Sequence, residues 1–279
     1  MTFDCEGETL IGVVSLPPAA ARVGLVILPG GPNYRAGAHR QFVHLARSVA
    51  VDGIAALRFD YRGMGDSAGT FPGFENVEAD VRAAIDAFLA ACPGVERVVL
   101  AGLCEGASSA LLYYGDTADV RVAGLVLANP WVRSEATLAK TYIRHYYAKR
   151  LMARSFWSKL LRGRFDVRTS VRGLARDALV ATRSENGVAY PRRMAAALAS
   201  FRGPVLLALS SDDLTAREFA DHAARDAHWR DLLSRTNVER CEFTADHTFS
   251  SSPAREAFET RVRTWLRLLQ ARAPAATRA

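Results

Sequence analysis

Val98-Val99-Leu100-Ala101-Gly102-Leu103-Cys104-Glu105-Gly106-Ala107-Ser108 joins an apolar, β-branched run to a stretch of small residues across two glycines. The run reads as a buried strand, the stretch as the start of a helix, and Gly-x-Cys-x-Gly as the turn between them. A strand that turns sharply into a helix strains the residue at the bend, and glycines flank it because side chains there would clash. That residue is Cys104. Its thiol would stand above the strand end with the helix N-terminus aimed at it, an arrangement that favours thiolate and oxyanion alike. Five residues alone do not define a site, because a buried cysteine among small residues is common. Partners have to decide.

Outward from this turn, apolar runs recur at residues 23–28, 54–59, 95–100, 122–127 and 205–209, and these read as buried parallel strands. Residues 41–51 and 77–90 carry apolar positions at three- and four-residue spacing, as crossover helices do. Residues 10–16 with the Glu6-Gly7 turn predict an opening antiparallel hairpin, closed by Pro17-Pro18. A last strand at 238–244 and an amphipathic helix at 255–269 complete the alternation.

The pattern breaks after Asn129-Pro130. Residues 131–202 are helical in composition, rich in arginine and dotted with aromatics, and Gly203-Pro204 then starts the next strand. An inserted helical cap is expected there, between core segments 1–130 and 203–270, with 271–279 as a frayed tail. The 279 residues, 49% hydrophobic and 23% charged, suit one large folded domain with an insertion. The net charge of +7 is concentrated in the insertion, where 16 Lys and Arg stand against 4 Asp and Glu. Such a patch attracts acidic proteins, phosphorylated groups or anionic surfaces, or is simply a set of solvated helix faces. No nucleic-acid-binding module accompanies it. The acidic N-terminus lacks the apolar core of a leader, and no apolar run approaches the ~18 residues of a membrane span. A cytoplasmic protein without stable membrane insertion is expected. Cys5, Cys92, Cys104 and Cys241 are scattered, so neither a zinc site nor a disulfide framework is expected, and no metal or cofactor is called for.

Two strand ends supply partners for Cys104. Ser210-Ser211-Asp212-Asp213-Leu214 follows one strand and Thr244-Ala245-Asp246-His247-Thr248-Phe249 follows the last. The chain order nucleophile, acid, base is that of an α/β-hydrolase fold, a mostly parallel eight-stranded sheet with flanking helices and here an inserted helical cap. His247 would take the proton from Cys104, and an aspartate would hold the imidazole in the useful tautomer. Asp213 is preferred, with Asp212 as the alternative. His39, His44, His145, His222 and His228 lack the strand-end setting. Asn129, also at a strand end, is no carboxylate. An oxyanion hole needs two backbone donors. One is expected from Glu105 and the other from the Pro29-Gly30-Gly31-Pro32 turn, where Gly31 is the candidate and Pro32 cannot donate. Asp60-Tyr61-Arg62-Gly63-Met64-Gly65-Asp66-Ser67 is expected to be structural, its Asp and Arg tying loops by charge-assisted bonds.

With these residues in place the chain resembles, over nearly its whole length, the exosortase A system-associated hydrolase 1 family of bacterial α/β hydrolases. The resemblance rests on Gly30-Gly31-Pro32-Asn33-Tyr34-Arg35, His39-Arg40-Gln41-Phe42, residues 57–67, Gly102-Leu103-Cys104, Asn129-Pro130-Trp131-Val132-Arg133 and Asp213-Leu214-Thr215-Ala216. It implies Cys104 as nucleophile and an acyl group as cargo, in the company of acyl-activating enzymes and acyl carrier proteins. Many relatives have glycine before the acid, where this chain has Ser211-Asp212. Dienelactone hydrolases resemble it more distantly, sharing the cysteine at the elbow. Arg35, His39, Arg40 and Trp131 are the expected substrate contacts.

The cysteine narrows the chemistry. An acyl-cysteine is itself a thioester, so attack on an ordinary ester runs uphill, whereas attack on a thioester exchanges like for like and expels a thiol of low pKa. Thioester hydrolysis or acyl transfer, from an acyl carrier protein or CoA docked on the basic cap, is the first expectation. Hydrolysis of activated esters or lactones is the enzymatic alternative, and a non-catalytic binding protein on the same fold is the other. The carboxylate of Glu105 beside the sulfur argues for His247 as general base rather than a standing thiolate–imidazolium pair.

Overall fold

The computed structural model describes residues 1–18, 21–31, 33–132 and 189–272. The chain divides into two units, Met1–Trp131 with Tyr190–Ala279, and Val132–Ala189. Most of the expected cap, 131–202, and of the tail, 271–279, lies outside the described residues, and so does most of the basic patch. The end of the expected cap is described: residues 190–200 form a helix that belongs to the larger unit.

The larger unit is built on an eight-stranded sheet. Strands β1 (Thr2–Cys5) and β2 (Glu8–Ser15) form the antiparallel hairpin across Glu6-Gly7. They are followed by β3 (Val23–Leu28), β4 (Ala56–Phe59), β5 (Arg97–Leu103), β6 (Val122–Ala128), β7 (Val205–Ser210) and β8 (Val238–Phe243), in the order β1-β2-β4-β3-β5-β6-β7-β8. From β4 onward every pairing is parallel. β3, β4, β6 and β7 are buried at every position, as strands covered on both faces must be, and this is why, apart from Arg58 in β4 and the terminal Ser210 of β7, they read as apolar runs.

Helices α1 (Gln41–Val51), α2 (Glu78–Ala91), α3 (Glu105–Thr117), α4 (Tyr190–Ser200), α5 (Leu214–Arg225), α6 (Ala227–Leu233) and α7 (Ser252–Arg272) connect and cover the sheet. Phe42, Leu45 and Val49 of α1 and Val262, Trp265 and Leu266 of α7 share one core with Leu25, Val99, Val126 and Leu206. Arg263 of α7 donates Nε and Nη2 to the Asp52 carboxylate at the end of α1, at 2.6 and 2.7 Å. α3 packs on α2 and α4. No described helix is long and apolar enough to cross a membrane.

The loop after β4 is structural, as expected. Asp60, fully buried, accepts from the backbone N–H of Asp66 at 3.2 Å, and Ser67 Oγ donates to the Asp60 carbonyl at 2.8 Å. Arg62 is paired with Asp80 of α2.

Candidate active site

The parallel registers bring four strand ends to one edge of the sheet, with Leu103 beside Ala128, Ala128 beside Ala208, and Ser210 beside Phe243. Cys104 directly follows β5, Asn129 follows β6, Asp213 lies just beyond β7 and His247 just beyond β8. In open α/β sheets this carboxyl edge is where ligands bind.

Cys104 sits at φ 59° and ψ −125°, at the N-cap of α3. For a residue with a Cβ this costs about 1–3 kcal/mol and persists only where the surroundings enforce it. They do. A Cβ on Gly102 would lie 2.2 Å from the Gly106 carbonyl, and one on Gly106 would lie 2.3 Å from the carbonyl oxygen of Leu28. Only glycine allows strand, turn and helix to approach so closely. The Cys104 carbonyl accepts from Ala107 and Ser108 at 3.0 and 3.2 Å, and the backbone N–H of Glu105, at the start of α3, makes no backbone hydrogen bond among the described residues.

The imidazole of His247 and the carboxylate of Asp213 meet. His247 Nδ1 donates to Asp213 Oδ2 at 2.8 Å. Asp213 is 5% exposed and also accepts from the N–H groups of Thr215 and Ala216 at 3.1 and 3.0 Å, so it caps α5 while it holds the histidine. Asp212 is exposed, and it is Asp213 whose carboxylate meets the imidazole. The His247 loop is held in turn by Asp246, whose Oδ1 accepts from Thr248 and Ser250 at 3.1 and 2.9 Å.

The hydrogen bond to Asp213 first, and one with the Cys104 thiol second, push His247 up to about 10 against the opposing effect of burial. That direction favours the imidazolium form of His247. The Glu105 carboxylate is turned to the backbone N–H of Gly31, from which Oε2 accepts at 2.8 Å. Elsewhere burial pushes the Cys5 and Cys241 thiols up to about 11 and raises Cys92 as well. Among the described residues no group of His, Cys, Asp and Glu could hold a metal ion.

The expected substrate contacts divide. Arg35 is engaged within the protein: its guanidinium pairs with Asp60 and Asp66, and its N–H donates to Asp60. It ties the Gly30-Gly31 loop to the loop after β4. His39 and Arg40 are exposed and both left-handed, at φ 52° and 58°. Asp246 is held below the usual carboxylate range chiefly by the Ser250 hydroxyl, with the charge of His39 adding to it, which sets His39 near the His247 loop. Trp131 is half-buried, and its N–H donates to Ser108 Oγ at 3.0 Å, behind the Cys104 turn.

Asn129 has a role that its residue type alone did not announce. Fully buried at φ 45°, it accepts from Ser210 N–H at 2.8 Å and donates Nδ2 to Ser210 Oγ and to the His247 carbonyl at 3.0 and 3.1 Å. One amide thus links the ends of β6 and β7 to the histidine loop. Asn129→Ala is expected to leave the buried Ser210 N–H without its acceptor, costing about 1–3 kcal/mol in urea unfolding, and to lower turnover by loosening His247. Unchanged stability and turnover would remove Asn129 from the site.

The sheet order, the strained cysteine between strand and helix, and the carboxylate and histidine after the last two strands make this an α/β hydrolase. The chain belongs to the serine aminopeptidase S33 family, whose model matches residues 24–243, although here cysteine stands at the elbow. Among solved structures it is similar to the esterase Pf2001 of Pyrococcus furiosus, at 16% identity over 96% of this chain and 90% of that one with a TM-score of 0.66. Est1E of Butyrivibrio proteoclasticus, solved with ferulic acid bound, is similar at 16% identity over 98% and 100% of the two chains, TM-score 0.67. The enol-lactonase of Burkholderia xenovorans is similar at 17% identity over 96% and 100%, TM-score 0.57. These likenesses establish the fold. No curated protein matches the chain significantly.

Proposed function

We propose that the protein is an acyl-transferring hydrolase that works through an acyl-Cys104 intermediate, with His247 and Asp213 completing the triad and an acyl thioester as donor. The observation that carries this reading is the His247–Asp213 bond at 2.8 Å behind a cysteine held at φ 59°. His247 takes the Cys104 proton as the sulfur attacks the acyl carbonyl, and the negative charge that develops on the oxygen is received by the N–H groups of Glu105 and Gly31. The tetrahedral intermediate collapses as the bond to the leaving sulfur breaks and His247 gives that sulfur its proton. Water, or another acceptor, then loses a proton to His247 and attacks acyl-Cys104, releasing the acyl product and the thiol.

The preference for thioesters comes from the cysteine itself, whose acyl form matches a thioester donor in energy. The resemblance to the exosortase A system-associated family points the same way, toward an acyl carrier protein or CoA as carrier, and the basic composition of residues 131–202 suits an acidic carrier in the cytoplasm. A second reading, hydrolysis of an activated oxoester or lactone, draws support from the named activities of the esterase and lactonase neighbours.

A panel of acyl-CoAs, an acyl-carrier protein and p-nitrophenyl esters tests the choice. Turnover of the thioesters at higher kcat/KM than the oxoesters is expected. Turnover of oxoesters alone would establish the second reading instead.

A further inference from the structure

We propose that Glu105 is a latch on the oxyanion site: in the free protein its carboxylate occupies the Gly31 N–H, and the acyl oxygen has to displace it before Cys104 is acylated. This rests on the reading of Cys104 as nucleophile. Gly31 lies 74 residues before Glu105, on the loop after β3, yet Glu105 Oε2 accepts its N–H at 2.8 Å in a partly buried setting. The carboxylate is therefore an anion already seated on one of the two donors that a developing oxyanion would use. The other donor, the backbone N–H of Glu105 itself, makes no backbone hydrogen bond among the described residues.

Neither is the carboxylate neutralised: among the described residues no Arg or Lys forms an ion pair with Glu105. Arg35, nearby in the sequence of the same loop, is spent on Asp60 and Asp66. An oxyanion that formed beside this charge would be repelled by it, and it would find Gly31 already bonded. Swinging the side chain toward solvent frees the donor and removes the repulsion together. Glu105 is half-buried rather than enclosed, so that path is open.

The latch predicts a direction opposite to that of a residue that merely holds the loop. Glu105→Ala should speed acylation, and Glu105→Gln should speed it less, because an amide oxygen still accepts from Gly31 but without charge. Removing the carboxylate also changes the charge beside Cys104, so acylation is to be compared with a reaction that builds no oxyanion. The burst of nitrophenolate from p-nitrophenyl acetate measures acylation, and alkylation of Cys104 by iodoacetamide measures the sulfur alone. The ratio of the two rates is expected to rise on the order of ten-fold in Glu105→Ala, the size of one charge-assisted hydrogen bond. It should rise by a smaller factor in Glu105→Gln, which also serves if the alanine variant folds poorly. A ratio that stays level or falls in the variants overturns the latch. A burst undiminished in Cys104→Ala overturns the nucleophile assignment, and the latch with it, so the two failures are told apart.

Discussion

Cys104→Ala is expected to reduce turnover by on the order of 10^4-fold or more, since removal of a covalent nucleophile leaves only binding and oxyanion stabilisation. Its unfolding midpoint should stay close to that of the wild type. Alanine carries the same Cβ into the same positive-φ position, so the strain at φ 59° is retained rather than relieved. The half-buried sulfur makes no side-chain capping bond to α3, and the bond that its loss breaks is the one with the His247 imidazole. Activity and stability therefore separate in this variant. Turnover within ten-fold of wild type in the folded protein would mean that the elbow is a structural turn and that the chemistry lies elsewhere.

The second large effect is expected at Asp213. Asp213→Asn keeps a good N-cap for α5 but presents an amide where His247 Nδ1 needs a carboxylate, and a wrong imidazole tautomer costs on the order of 10^3- to 10^4-fold in kcat. The same substitution has a pH signature. Asp213 is the foremost cause of the rise of His247 to about 10. A group raised in the folded state contributes stability that is fully present below its unfolded pKa, about 6.5 for histidine, and that is lost as pH rises through the folded value. The wild type should therefore lose stability relative to Asp213→Asn between pH 6.5 and 10, read from urea midpoints. Parallel midpoint curves for the two proteins would contradict the His247–Asp213 coupling. Iodoacetamide labelling of Cys104 near pH 6.5 should also slow in the variant, because the imidazolium beside the sulfur is no longer favoured.

Much of this was legible in the residues because local rules and global fold agree. Buried parallel strands have to be apolar on both faces, so β3, β6 and β7 stand out as unbroken runs. Gly102 and Gly106 are demanded because a Cβ at either would lie only 2.2 or 2.3 Å from backbone atoms, and a steric demand of that kind shows directly as a glycine pattern. His247 and Asp213 follow strand ends, and parallel registers carry strand ends to one edge. The choice between Asp212 and Asp213 stayed open because adjacent residues share the same strand-end position. Burial separates them: Asp213 turns inward to cap α5 and Asp212 faces solvent.

What stayed hidden are side-chain bonds between distant segments. Asn129 was recognisable as a non-carboxylate at a strand end, but its bonds to Ser210 and His247 span 81 and 118 residues. Arg35 looked available for a ligand because its sequence neighbours are glycine, tyrosine and asparagine. Its partners Asp60 and Asp66 reach it only through the pairing of β3 with β4. The turn of Glu105 toward Gly31 is of the same kind. It directs at the Gly31 N–H the charge expected to oppose a thiolate.

The central claim, acylation of Cys104, is tested most directly by peptide-level mass spectrometry of the protein quenched with acid during turnover of an acyl-CoA. The account predicts one acyl group, on the peptide that contains Cys104, present in the wild type, accumulating in His247→Ala if acylation outlasts loss of the base, and absent from Cys104→Ala. Steady turnover with no acyl group on Cys104 at any quench time, or with the adduct on Cys5, Cys92 or Cys241, would contradict it.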